Sequence, residues 1–438
     1  MLPFVVVNEG QPKANIWLRR GKLTLAPKRA VLKMGCFVGR ATSANLSEET
    51  TVLVEITNTP RNYAWGSLTA IANLLGTPQT GEPQAELWLG AHPGSPSVLV
   101  DNGRPITDLF PAGLPFLLKV LAAASPLSLQ AHPTLDQARE GFARENAAGI
   151  LIDSPSRNYK DALHKPEAIV ALVDGFQALC GFRSVAAARA ALAPLIADEA
   201  TSPADAAVVA AFSERLNADA SLPAVFEWLM AGGADVAALV AALTEYAARG
   251  DSAPGGDGEH WRVVRLLADN YPGDAGIAIS LLLNVVTLNA GEALFLPAGN
   301  IHSYLGGLGV EIMASSDNVL RGGLTPKHVD VAELLTVLDF EPLPVPYLVP
   351  EQPADGVSVF DPGLSDFSLT VVTKSVTISL RGPAIVLCTA GSFTLSGGSQ
   401  GETAEISRGH SFLVNNLDEL AIRGEGQLFV ATAGRAPA

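Results

Sequence analysis

One switch of period constrains this 438-residue chain more than any other feature. From 184 to 249 alanine dominates, and apolar side chains recur at helical spacing, as at Val236, Leu239, Val240 and Leu243. Ser184, Ser202 and Ser221 stand where helix N-caps would, and Pro203 fits a first helical position. The block reads as about four helices. A break rich in Gly and Asp over 251–258 separates it from one more helix over 261–270. On both sides the pattern is that of strands. Val52, Val54 and Ile56 alternate, 127–133 alternates again, and 168–173, 283–288 and 292–297 are short apolar runs. After the proline-rich 341–346, short strands read over 369–376, 384–388, 412–414 and 427–431. Such a chain is mostly β with an α insertion. The boundaries read as a basic extension over 1–50, the first part of a β domain over 51–183, a helical insertion over 184–262, the second part of that β domain over 263–340, and a further β domain over 341–438.

Charge and cysteine content exclude several classes. Lys and Arg number 29 against 44 Asp and Glu, a net charge of −15, which repels nucleic acid and anionic membranes. Residues 11–40 carry eight basic residues and no acidic one. That stretch reads as a loosely ordered extension, with Met34 as a downstream start, because its apolar residues precede the basic ones, the reverse of a signal peptide. Purely apolar runs reach only about eight residues, too short for a helix to span a bilayer. Three scattered cysteines with no CxxC pair argue against a disulfide framework or a thiolate metal site. The expectation is a cytoplasmic monomer with no nucleic-acid or membrane partner.

Three short segments carry candidate chemistry. In 291–302 a strand runs into a Pro297-Ala-Gly299 turn, and His302 follows three residues after the glycine. The turn aims the imidazole into a barrel mouth, and the spacing is similar to the second half of the cupin metal pattern, except that Gly306 stands where that pattern closes on Asn. In Gln130-Ala131-His132-Pro133, strand alternation puts Gln130 and His132 on one face, where an amide oxygen and an imidazole reach one ion. In His164-Lys165-Pro166-Glu167 a carboxylate opens an apolar strand that has no structural need of one. Singly, each has a plainer reading as a satisfied residue. Together they offer two imidazoles, a carboxylate and an amide oxygen with an open position for water, the pattern of a catalytic rather than a structural zinc site.

These segments resemble the type I phosphomannose isomerases, a zinc-dependent cupin family. The resemblance extends to Asn62-Tyr-Ala-Trp-Gly-Ser67, Ala85-Glu-Leu-Trp-Leu-Gly-Ala-His-Pro93, Pro115-Phe-Leu-Leu-Lys-Val-Leu121, Ser128-Leu-Gln-Ala-His-Pro133, Tyr159-Lys-Asp-Ala-Leu-His-Lys-Pro-Glu167 and Asp317-Asn-Val-Leu-Arg-Gly-Gly-Leu-Thr-Pro-Lys327, in family order from about residue 55 to 340. Residues 1–50 lie outside it, and the tail after 345 matches in general character only. It implies cupin-like (jelly-roll) β-barrel domains plus a helical domain. It implies one zinc per chain, held by Gln130, His132, Glu167 and His302, with Arg321 in the active site. It also implies interconversion of mannose 6-phosphate and fructose 6-phosphate through a cis-enediol.

The residues bear this out chemically. A phosphate dianion suits the bidentate donors of Arg321 and the point charge of Lys327. Moving a proton between C2 and C1 needs a carrier and an electrophile. Glu311, in the strand-like Gly309-Val-Glu-Ile-Met313, ranks first as carrier, then Lys165 with His164, then Asp317. An iron oxygenase would use two histidines and a carboxylate, which leaves Gln130 and the Arg321–Lys327 pair unexplained. A metal cupin that binds a phosphosugar without isomerising it is the other alternative, and the presence of all four ligands and Arg321 tells against it. Trp65 and Trp88 read as core ahead of a sugar-facing wall, His92 as structural or as backing a residue of the site, His260, His328 and His410 as satisfied or surface residues, and the cysteines as buried or inert.

Overall fold

The computed structural model describes residues 52–217, 221–256, 258–398 and 401–435. The extension over 1–50 and Cys36 lie outside them. Among the described residues the strands form two nine-stranded antiparallel sheets, and helices cover one end of the first, the cupin-like, mostly β architecture with an α insertion that the sequence implies.

The first sheet is built on one long strand, His302–Ala314. It pairs with Phe116–Ala123, Gln130–Ala131, Glu167–Ala171 and Phe176–Phe182. Glu86–Leu89 and Leu320–Arg321 join at the two ends, and Ala293–Leu296 and Leu283–Leu288 close the flanks. The long strand does not keep one register. Its pairing with Phe176–Phe182 shifts between Tyr304 and Gly306, a β-bulge. Gly307 beside it holds φ 125°, where a Cβ would lie 2.6 Å from Phe176 Cδ2. The departure from the metal pattern at Gly306 is therefore the place where the strand bulges. A bulge reverses the facing of every residue beyond it, so the even-numbered His302 and Tyr304 share a face with the odd-numbered Glu311 and Met313.

The second sheet runs from Glu351–Ala354 through Val357–Phe360, Ser368–Ser379, Glu419–Thr432, Ala384–Gly397 and Ser411–Asn415. It then takes in Val52–Thr57 and Val98–Leu99 from the start of the chain. The strand at 52–57, which the sequence boundaries give to the first β domain, thus pairs with the C-terminal strands instead. Its alternation fitted either sheet, and only pairing decides between them. The alternation over 127–133 yields only the two-residue strand Gln130–Ala131, because Leu127 and Leu129 donate to the irregular carbonyls of Tyr304 and Gly323 and Pro133 has no donor.

The insertion supplies Val185–Ala197, Pro203–Arg215, Leu222–Ala231 and Ala234–Ala248, followed by Glu259–Asn270. Ser184 and Ser202 cap their helices by accepting from the backbone N–H of Ala187 and Asp205. Ser221 takes the N-cap position but makes no capping bond. Val236, Leu239, Val240 and Leu243 are buried, as their spacing requires. Their core continues into Leu129, Ala131, Ile301 and Leu320, which back the strands that carry the site. No single helix among the described residues is long and apolar enough to cross a membrane.

Candidate active site

Register alone brings most of the candidate residues together. His302 lies opposite Gln130, which lies opposite Arg321. Met313 faces Glu167, and Glu311 faces Lys119, which in turn faces Trp88. All of these but His302, which touches Gln130 and Glu167, line one cavity of about 540 Å³, within the range of small-molecule sites.

At its floor, His132, Glu167 and His302 are buried, with one ligand atom from each inside a 4.8 Å cluster. Glu167 Oε1 is 3.3 Å from His132 Nε2, and Glu167 Oε2 is 3.5 Å from His302 Nε2. Gln130 Nε2 lies 3.2 Å from His302 Nε2, and a half-turn of the amide puts Oε1 in that place. Each outer nitrogen is spoken for: His132 Nδ1 contacts the carbonyl of Asn318 at 2.7 Å, and His302 Nδ1 that of Asn300 at 3.0 Å. A carbonyl oxygen only accepts, so both Nδ1 atoms carry the proton and both Nε2 atoms are free to bind a metal. His132 Nε2 and Glu167 Oε2 are buried without a hydrogen-bond partner. Unpaired buried acceptors cost free energy that a cation recovers. Ligand bonds of about 2.0–2.1 Å in a tetrahedron place neighbouring ligand atoms about 3.3 Å apart, close to the separations seen. The donor set fits zinc.

Burial, then the charge of Lys165, lowers the His132 imidazole to about 4. Burial alone would raise the Glu167 carboxyl, but Lys165 and His132 reverse that and hold it well below the usual range. Lys165 Nζ touches Glu167 Oε1 at 2.7 Å. Both shifts keep the set in the protonation states that a metal needs.

Above the floor lies a group that sequence reasoning did not assign. Lys119 Nζ is 3.0 Å from Glu311 Oε2, 3.7 Å from Glu86 Oε1, and 5.1 Å from the centre of the Trp88 ring. Glu86 also accepts from Trp88 Nε1 at 2.8 Å. Burial would pull the Lys119 ammonium down, but Glu311 and Glu86 outweigh it and hold it well above its ordinary value. Burial raises the Glu311 carboxyl, Lys119 opposes, and Glu167 and Glu86 add to the rise. The available signal was a lysine inside the wholly buried strand Phe116–Ala123.

At the mouth stand Arg321 and Lys327. Arg321 is half-buried, its Nε has no partner, and burial pulls the guanidinium down. Lys327 is exposed, yet what burial it has and the neighbouring Arg321 pull its ammonium down. Asp317 also reaches the cavity, with Oδ1 3.4 Å from His92 Nε2. His92 Nδ1 accepts from Gly94 N–H at 3.1 Å, which puts the ring proton on Nε2, facing Asp317. His92 is thus structural, as its sequence context suggests.

One reading needs correction. His164 does not reach the cavity, and its Nε2 contacts Asp366 Oδ1 at 3.0 Å. Lys165 and Glu167 share a face at spacing two, which sends His164 the other way. Trp65 and Trp88 line the cavity wall, the less favoured of their two sequence readings, while Trp88 is also buried and packs on Leu117 and Met313, as the core reading has it.

Residues 53–185 match the sequence model of a family described as phosphomannose isomerase type I, catalytic domain. The mannose-6-phosphate isomerase of Escherichia coli K12 is 37% identical over 85% of this chain and 98% of its own length. The human mannose-6-phosphate isomerase is 32% identical over 83% of this chain and 93% of its own. A crystal structure of a zinc-bound mannose 6-phosphate isomerase superposes with a TM-score of 0.76 at 34% identity, covering 87% of this chain and 100% of that one.

Proposed function

The chain belongs to the type I phosphomannose isomerase family, and from that premise we propose how its cavity interconverts mannose 6-phosphate and fructose 6-phosphate. The observation that carries the proposal is the buried His132–Glu167–His302 cluster with its unpaired Nε2 and Oε2 atoms. In this reading His132, Glu167, His302 and Gln130 hold one zinc ion. Zinc supplies an electrophile there, which polarises the oxygens on the two carbons that exchange the proton.

The remaining work belongs to side chains. A proton carrier must line the cavity, stand away from bulk water and bind its proton more firmly than an ordinary carboxylate. Glu311 does all three. It takes the proton from C2 of the aldose and returns it to C1 through a cis-enediol, while the hydroxyl proton of O2 passes to O1, and the reverse holds for the ketose. Lys119 holds the Glu311 carboxylate in place and balances its charge while the proton is on the sugar. Lys165 is engaged with Glu167 and keeps that ligand ionised. Asp317 is bonded at the rim and ranks behind both as carrier. Arg321 stabilises negative charge as it develops, and with Lys327 it holds the phosphate.

The phosphorylated substrate supports a cytoplasmic setting. The test is a coupled assay of fructose 6-phosphate formation from mannose 6-phosphate, before and after chelation, with zinc added back. Turnover that falls on chelation and returns with zinc supports the reading. No turnover in folded, zinc-loaded protein overturns it.

A further inference from the structure

The segment from Arg321 to Lys327 carries both cations assigned to the phosphate, but the sheet holds only its first half. Leu320 and Arg321 pair with Ala131 and Gln130. Gly322 N donates to Leu129 O at 2.8 Å, and Leu129 N donates to Gly323 O at 3.1 Å. Beyond that point no strand constrains the chain, and Leu324 holds φ 54°, a region that leucine rarely enters.

What fixes it comes from the helical insertion, which continues through the helix Glu259–Asn270 and the turn after it, past the expected boundary at 262. Asp274 stands in the turn after the helix Glu259–Asn270. Its Oδ1 accepts from Leu324 N–H at 3.0 Å and from Gly276 N–H at 2.7 Å. Gly276 leaves the space that the Leu324 side chain fills, since a Cβ there would lie 2.7 Å from Leu324 Cγ. Leu324 is buried, and it lines the cavity together with Thr325 and Lys327. In the same turn, Tyr271 donates its hydroxyl to Pro126 O at 2.6 Å and also lines the cavity. The insertion is thus fastened to the barrel at both Pro126 and Leu324.

We propose that Asp274 is a positioning residue for phosphate recognition: by holding Leu324 in the left-handed conformation, it sets where Thr325 and Lys327 stand relative to Arg321. The helical insertion then serves the site through this carboxylate. The inference rests on the phosphate role of Arg321 and Lys327 given above. Without the acceptor, Leu324 relaxes toward negative φ and the arm that bears Lys327 loses its fixed place. Ordering it again is then a cost of binding, while the metal ligands and Glu311 stay as they are.

The test is steady-state kinetics with mannose 6-phosphate, inhibition by inorganic phosphate, and zinc content per chain. In Asp274→Ala, KM and the inhibition constant for phosphate rise together by about tenfold, with kcat within about threefold and zinc content unchanged. Asp274→Asn keeps an oxygen acceptor and returns both constants to within about twofold of the parent values. Arg321→Ala and Lys327→Ala are measured alongside. If these two leave both constants unchanged, the phosphate reading itself has failed. If they raise them while Asp274→Ala does not, or if Asp274→Ala lowers kcat or zinc content alone, the positioning role is overturned. Asp274→Asn behaving like Asp274→Ala also overturns it. Should Asp274→Ala not fold, the double variant Asp274→Ala with Leu324→Gly is compared with Leu324→Gly alone: glycine enters this conformation without strain, so only the carboxylate distinguishes the two, both constants must be higher in the double variant, and equal constants reject the proposal.

Discussion

The two nine-stranded sheets share antiparallel pairing and an apolar interior, yet they differ in what else they bury. Among the described residues, the sheet on His302–Ala314 encloses Glu86, Lys119, His132, Glu167 and Glu311, with Lys165 just ahead of its strand. The sheet around Ala384–Gly397 encloses Ser368, Thr389, Ser411 and Asn415 but no charged side chain. The second sheet shows that this architecture stands without buried charge. Enclosing charge costs free energy unless every group is matched. The charges of the first sheet are therefore there for chemistry.

The sharpest way to break that contrast is to remove a metal ligand. Glu167→Ala should lose bound zinc and lower turnover by about a thousandfold or more, read by metal analysis and the coupled assay. Next in size, Glu311→Gln should keep its zinc and lower kcat by about a hundredfold to ten-thousandfold. If that variant keeps its turnover, the proton is carried elsewhere and Lys165 is the next residue to test.

The matching change in the second sheet should do the opposite. Phe393 is fully buried there, and Phe393→Ala should lower stability by about 3–5 kcal/mol in denaturant unfolding while leaving kcat and KM within about twofold. The smallest effect lies in the helical insertion. Burial, then the charge of Arg183, lowers the His260 imidazole to about 4, from 6.5 when exposed. Between those values the unfolded chain takes up a proton that the folded one refuses, so stability falls as pH drops from about 6.5 toward 4. Above that window the group contributes no slope. His260→Gln, which keeps a donor for Leu283 O, should flatten the fall by up to about 1.4 kcal/mol per pH unit in unfolding measured against pH.

The contrast also explains what was legible in the sequence. Local patterns were: the helices at 184–249, the caps at Ser184 and Ser202, and the His132, Glu167 and His302 group able to hold a metal, which a turn, an alternation and a carboxylate at a strand start carry. What depends on pairing was not. The parity change at Tyr304–Gly306, which puts Glu311 on the side of His302, exists only in the register against Phe176–Phe182. Lys119 stands in an apolar run, and only its partner strands place it beside Glu311 and Glu86. His164 was grouped with Lys165 by adjacency in the chain, although neighbours in an extended chain face opposite ways. The strand at Val52–Thr57 carried no mark of its partner more than 350 residues away.

The most direct test of the central claim replaces the Lys119–Glu311 pair with apolar residues of similar size, Lys119→Met with Glu311→Leu, together with Glu86→Gln, which removes the charge left facing Lys119 and keeps an acceptor for Trp88 Nε1, and measures thermal unfolding and turnover on one preparation. A buried ion pair exchanged for packed apolar groups is commonly neutral or stabilising by about 1–4 kcal/mol. The account predicts an unfolding temperature equal to or above the parent's and turnover lower by about a hundredfold or more. A triple variant that unfolds at a much lower temperature, or one that isomerises at the parent rate, would contradict it.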